Sequence, residues 1–259
     1  KREKGCDVNM NETIRTQLEH RTIREFKDQK IPHQIFEQLL EVARRTATST
    51  GMQASSIIRV TNPDMKKKIA EICNQEYVAR VTELLIFIVD QYRNNQIAKE
   101  KNCFVETAGD MDRFFAAFTD ACIMAQNIVI AAESMGLGTV YLGSILNDSE
   151  RICELLKLPK LTFPVIGLGL GYPNQNPQIK PRMEMKLRVF ENTYKVFESY
   201  LDQVEEYDKE MRTYYDLREP GKRADSFSNQ VVTRLNQRIP KRQEILNVIR
   251  KQGFDLKIR

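Results

Sequence analysis

The sequence predicts a mixed chain in which helices and short strands alternate around one substantial core. Three observations predict it. The 259 residues are 41% hydrophobic, enough to close a large core. Short apolar runs at residues 56–60, 84–89, 138–142 and 163–171 read as strands separated by stretches of helical spacing. Residues 110–135 carry the longest helical pattern, a spine for that core.

Each element has a local reason. Met10 precedes an apparent helix start, which marks residues 1–9 as an N-terminal extension, native or appended. Pro32 opens a segment in which Ile35, Phe36, Leu39, Leu40, Val42 and Ala43 recur at helical spacing, ending in the hydroxyl-rich turn 46–51. After the first strand, Asn62 and Pro63 read as the cap and first position of another helix. Residues 84–89 have the unbroken apolar character of a strand buried on both faces. In the long helix, Phe114, Phe115, Phe118, Cys122, Ala125, Ile128, Val129 and Ala132 form a broad stripe that stops at Gly136. Pro173, Pro177 and Pro181 enforce an extended crossing, and residues beyond Tyr194 return to a helical pattern.

Composition narrows the function classes. A formal charge of +5 favours anionic ligands, yet the 40 Lys and Arg are interspersed with 35 Asp and Glu and form no nucleic-acid stripe. Cys6, Cys73, Cys103, Cys122 and Cys153 are odd in number and far apart, without the spacing of a zinc site or disulfide framework. A reducing, cytoplasmic compartment fits that pattern. No apolar run is read as long enough to span a bilayer, and no hydrophobic region follows the charged first residues as a secretory signal requires.

The residues that point to chemistry are two cationic clusters. His20, Arg21, Thr22, Ile23 and Arg24 combine guanidinium, imidazole and hydroxyl donors in five residues, the inventory a terminal phosphate needs. Lys180 and Arg182 bracket Pro181 far downstream, so one anion held from both sides is the expectation. A solvated charged face is the plainer reading of either cluster alone. Neither contains a nucleophile with its base, which assigns the chemistry to a phosphate-bearing cofactor. Gly167, Gly169 and Gly171 imitate a dinucleotide fingerprint, but Tyr172 and Pro173 lead into an extended segment where that motif requires a helix. They read instead as a strand that a helix or ligand approaches closely. No Walker loop is present, and His20 and His33, the only histidines, exclude a multi-histidine metal site.

Weaker signals lie between the clusters. Thr46, Thr48, Ser49 and Thr50 place hydroxyls in one loop, suited to ribityl or phosphate oxygens and equally to turn capping. Gln75 and Tyr77 supply an amide and a ring for a heteroaromatic edge, or a surface hydrogen-bonding pair. Tyr141, Leu142, Gly143 and Ser144 end a strand with a tight glycine and a hydroxyl, permitting backbone approach to a planar ring.

Their order resembles the nitroreductase-like flavoproteins, in particular the branch of NADPH-preferring nitroreductases and flavin reductases. The resemblance spans residues 13–223: His-Arg-Thr-Ile-Arg at 20–24, the hydroxyl loop after Ala43 and Arg44, Gln75 with Tyr77, Gly-Leu-Gly-x-Val-Tyr-x-Gly at 136–143, and Lys-Pro-Arg at 180–182. The chain departs from the pattern at Thr48 and Thr50, where serines are common, and at Ser144, where a second glycine is usual. The resemblance implies an α+β fold with a mainly antiparallel central sheet flanked by helices, in an interlocked homodimer with FMN at the subunit interface. It also implies that His20, Thr22, Lys180 and Arg182 lie near the phosphate and Arg24 and Gln75 near the isoalloxazine edge. Thr48, Ser49 and residues 141–144 would line the site.

The activity implied by the resemblance is that of an FMN-dependent NADPH oxidoreductase working by a ping-pong cycle on nitroaromatics, quinones or flavins. The alternatives are a dedicated flavin reductase, a flavin-binding or redox-sensing module with little turnover, and a basic nucleic-acid-binding protein. Arg218, Lys222 and Arg223 bracket Pro220 and Gly221 in a basic loop, where the resembling branch places arginines to meet the 2′-phosphate of NADPH. A charged connection between helices is the other reading of that loop. The expected organisation is an FMN-binding core at 10–195 and a C-terminal helical extension at 196–259, packing on the core or on a partner subunit.

Overall fold

A computed structural model of the chain describes residues 10–215 and 223–256. Its centre is a four-stranded antiparallel sheet in the order β1-β2-β4-β3, formed by β1 (Ser55–Val60), β2 (Glu83–Asp90), β3 (Gly138–Leu142) and β4 (Thr162–Gly171). An isolated parallel bridge from Thr22 to Thr139 extends the β3 edge, so the sheet is mixed but mainly antiparallel. Residues 84–89 of β2 are all buried, as their uninterrupted apolar run requires.

The helices are α1 (Glu12–Leu18), α2 (His33–Arg44), α3 (Pro63–Cys73), α4 (Gln91–Glu100), α5 (Met111–Ser134), α6 (Ser149–Leu155), α7 (Tyr200–Thr213), α8 (Phe227–Asn236), α9 (Pro240–Gln243) and α10 (Ile245–Lys251). Asn62 caps α3 by accepting from the backbone N–H groups of Asp64 and Met65, with Pro63 in the first turn. Two helices escape the hydrophobic pattern. α4 has a largely polar sequence and starts because Asp90 accepts from Arg93 N–H; Asp148 does the same for α6 at Arg151.

The spine helix α5 packs across β2 and β4 with Phe114, Ala117, Ala121, Ala125, Ile128 and Ala132 buried. Contrary to the sequence expectation, this helix is long and apolar enough by composition to cross a membrane. Its burial against the sheet and the polar side chains of Asp120 and Glu133 identify it instead as a core helix. Phe115, expected on the buried stripe, is 62% exposed, because it is rotated about 100° from Phe114 around the helix.

The chain divides into two compact units. One comprises residues up to 176 together with those from 239 onward, and the other residues 177–238. The expected division at 195/196 differs from this for a physical reason. Val248 and Ile249 of α10 and the following Phe254 are core residues, and the Phe254 ring lies 4.9 Å edge-on to Phe114. The segment that carries α9, α10 and Phe254 thus belongs to the sheet-containing unit. In the second unit, α7 and α8 pack together, and buried Asp208 of α7 receives the N–H and hydroxyl of Ser228 on α8.

The glycines of β4 make room for neighbouring side chains, Gly167 for Leu142 and for Ile145 of the short helical turn Gly143–Asp148. A Cβ on Gly169 would come within 2.9 Å of Val81, so the space holds the turn that follows Gln75. Lys66 fixes that turn by donating to the carbonyls of Val81 and Thr82, both at 2.9 Å.

Candidate functional site

The first cationic cluster lies along the free edge of β3. Ile23 N–H donates to the Thr139 carbonyl at 2.9 Å, and on its other side Asn174 N–H donates to the Glu25 carbonyl. Gln175 completes the clamp by accepting from the backbone N–H groups of Arg24 and Glu25 at 3.3 and 2.7 Å. The close approach depends on Gly138, where a Cβ would lie 2.6 Å from Ile23 Cγ1.

Side chains along this edge are held from α5. Glu133 Oε1 is 2.7 Å from His20 Nδ1 and accepts the Thr139 hydroxyl at 2.6 Å, tying the imidazole to both helix and strand. With Nδ1 engaged, Nε2 is the nitrogen left to meet a ligand. The Nε atoms of Arg21 and Arg24 are buried without a hydrogen-bond partner. Buried donors of that strength are normally satisfied, so two such atoms call for an acceptor that the described residues do not supply.

Gln75 meets the turn that follows β3. Ser144 donates to Gln75 Oε1 at 2.8 Å and Tyr77 to the same oxygen at 3.2 Å. The Tyr141 hydroxyl donates to Gln126 on α5 at 3.0 Å, and burial pushes its phenol well above the usual range, so it stays protonated. Three of the sequence-predicted segments, 20–24, 75–77 and 141–144, are therefore joined by β3 and the turns at its end.

The hydroxyl loop is held elsewhere. Thr46 is buried and accepts from Asn127, while Ser49 N–H donates to buried Asp120 at 2.8 Å. Asp120 and Glu133 are thirteen residues apart on α5, which separates Ser49 from His20 by about 20 Å along the helix. One copy of the chain does not bring Thr48 and Ser49 to the first cluster. In the second unit, Arg182 donates to the carbonyls of Lys180 and Pro181. Arg223 donates to the Tyr215 hydroxyl at 3.1 Å, and the two residues form an isolated antiparallel bridge. Arg218 and Lys222 lie outside the described residues.

The sequence reading missed Glu133, Gln126, Asp120 and Asn127, the polar residues of α5 that hold these segments. A signal was present: 126 and 133, and 120 and 127, are two pairs seven residues apart, two polar columns within an otherwise apolar helix.

An antiparallel sheet with a core helix behind it, and a polar edge carrying unsatisfied guanidinium donors, define an α+β protein built to hold an anionic planar ligand. The chain belongs to the Nitroreductase family: residues 18–172 match that family, and residues 180–257 match the Nitroreductase family C-terminal domain. It is 35% identical over 249 residues to an FMN reductase (NADPH) of Bacillus subtilis, covering 95% of this chain and 99% of that protein. It is also 35% identical over 246 residues to an oxygen-insensitive NADPH nitroreductase of Salmonella typhimurium, covering 95% and 99%. Among solved structures, the NADPH:FMN oxidoreductase of Vibrio harveyi complexed with NAD+ superposes with a TM-score of 0.84 at 33% identity, covering 95% and 100% of the two chains. The NfrA1 nitroreductase of B. subtilis gives 0.87 at 35% identity, covering 95% and 100%.

Proposed function

We propose that this chain is an FMN-dependent NADPH oxidoreductase that reduces nitroaromatics, quinones or flavins. The observation that carries the reading is the pair of buried guanidinium Nε atoms of Arg21 and Arg24, without a partner among the described residues, on the segment bridged to β3, the strand that ends at the Gln75–Ser144 pair. A phosphorylated heteroaromatic group fits this donor set. Relatives over nearly the whole chain, named as FMN reductase and NADPH nitroreductase, support the same reading.

In this reading His20, Arg21 and Thr22 hold the phosphate end, with Lys180 and Arg182 assigned to it on the strength of their motif. Ile23 seats the cluster on β3, and Arg24 and Gln75 face the ring edge. Tyr77 and residues 141–144 line the site. The chemistry supplied by bound FMN is hydride acceptance from NADPH and electron delivery to a planar acceptor. Arg24 contributes a fixed positive charge where negative charge accumulates, which favours the reduced form without any rearrangement of the protein. No side chain at the edge needs to move a proton, and Tyr141 is held too firmly protonated to act as a base. Donor and acceptor using one stacking face in turn gives a ping-pong cycle. Arg218, Lys222 and Arg223 are assigned to the 2′-phosphate of NADPH.

The functional unit in this reading is a homodimer. The separation of Ser49 from His20 within one chain is bridged when a second copy brings its own Thr48 and Ser49 to the site. Phe115 and Ile123, apolar and exposed on α5, suit that contact. The four described cysteines are all unpaired, which supports a reducing, cytoplasmic setting. The test is to purify the chain, release its ligand by denaturation and identify it by chromatography. FMN at about one per chain is expected; FAD, or no uptake of added FMN, overturns the proposal.

A further inference from the structure

Gln75 has two chemically opposite ends, a carbonyl acceptor and an NH₂ donor, and which end meets a ligand decides what it does to that ligand. Its Oε1 receives both Ser144 Oγ at 2.8 Å and the Tyr77 hydroxyl at 3.2 Å. Behind Ser144 lies Cys73, whose thiol interacts with the same hydroxyl. Cys73 is buried at the end of α3, and burial pushes its thiol up to about 11, so at neutral pH it is an S–H group. The Ser144 hydroxyl proton is directed to Gln75 Oε1.

The backbone under this pair is fixed from three sides. Asn74, in the left-handed conformation at φ 51°, ends α3 and turns the chain so that Gln75 N–H bonds the Ala70 carbonyl at 3.0 Å. Asn147, three residues past Ser144, donates to the Ile72 and Cys73 carbonyls, both at 3.4 Å. Arg242 of α9 donates to the Gly143 carbonyl at 3.2 Å and to Asn147 at 3.3 Å.

We propose that Ser144 is a positioning residue that locks the Gln75 carboxamide with its oxygen inward, so that its NH₂ group is the end presented to a ligand's ring edge. The inference rests on the functional reading above and deepens it. A donor at the edge strengthens as the ring gains electron density, so it binds the reduced ligand more tightly than the oxidised one and raises the reduction potential. Without the serine hydroxyl only the longer Tyr77 bond holds the oxygen, and the amide turns more readily to offer its acceptor end, which opposes reduction.

The experiment measures the two-electron midpoint potential and the FMN dissociation constant of wild type, Ser144→Ala and Ser144→Thr. Ser144→Ala is expected to lose about tenfold in preference for reduced over oxidised FMN, a fall of about 30 mV. Ser144→Thr, which keeps the hydroxyl, should restore the wild-type value. In a Gln75→Ala background, Ser144→Ala should shift the potential no further, because it acts through the amide. An unchanged potential in Ser144→Ala, a threonine variant that behaves like alanine, or equal shifts with and without Gln75 would each overturn the positioning role. A wild-type chain that takes up no FMN would instead overturn the functional reading itself.

Discussion

Replacing Gly138 by alanine is expected to unseat the segment that carries His20, Arg21 and Arg24. The added methyl would lie 2.6, 2.8 and 2.9 Å from Cγ1, Cβ and Cγ2 of Ile23. Because Cβ is anchored to the backbone, no rotamer change of Ile23 relieves the overlap, and the 22–24 segment must move off β3. Forced overpacking of this kind destabilises by about 1–3 kcal/mol. Loss of the Ile23 N–H bond to Thr139 adds about 0.5–1.5 kcal/mol. The sum, about 1.5–4.5 kcal/mol, corresponds to a fall in Tm of about 3–18 °C for a chain of this size. FMN affinity should fall at the same time by about tenfold or more, equivalent to ~1.4 kcal/mol. Thermal melts of the apoprotein and fluorescence titration with FMN read the two effects. Gly143→Ala is the control for the melt, since nothing lies within 4 Å of a Cβ built there. If Gly138→Ala melts like wild type and binds FMN as well, the clamp on β3 is not what positions the cluster.

Other perturbations probe other parts of the account. Arg182→Ala should keep the fold and weaken FMN binding by about 1.5–3 kcal/mol, ten- to a hundredfold, in equilibrium dialysis. The double variant Arg218→Ala/Arg223→Ala should raise KM for NADPH, leave NADH kinetics nearly unchanged and retain FMN; equal losses in kcat/KM for both nucleotides would assign that loop a structural role. Burial pushes the thiols of Cys73 and Cys153 up to about 11 and about 12 from an ordinary 9.0. The unfolded chain then releases these protons first as pH rises, so stability should decline from about pH 9 to about pH 12. Urea unfolding at pH 8 and pH 10 checks this, and a Cys73→Ala/Cys153→Ala variant should show a flatter decline.

Elements whose start and stop are written in neighbouring residues were legible in the sequence. α2 opens after Pro32, α3 has Asn62 and Pro63 at its start, and β3 spans residues 138–142 as read. α4 was not legible because a polar helix leaves no apolar stripe, and only its Asp90 cap marks it. The return of Phe254 to Phe114 was hidden for another reason. It is a contact across 140 residues of sequence, and periodicity carries no information about partners that distant. The site divides in the same way. His20, Arg24, Gln75 and Ser144 could be singled out because their residue types suit a ligand, whereas Glu133 and Gln126, which only hold other side chains, read as the solvent face of a helix. The distance between Ser49 and His20 is a property of the length of α5 and appears only in three dimensions.

The most direct test of the account is an anaerobic titration of the FMN-loaded chain with NADPH, followed by a nitroaromatic or quinone, while flavin absorbance is recorded. The account predicts that stoichiometric NADPH bleaches the bound FMN, that NADH does so more slowly, and that the acceptor restores the oxidised spectrum. Bound FMN that stays oxidised in excess NADPH, or that once reduced passes no electrons to either acceptor, would contradict it.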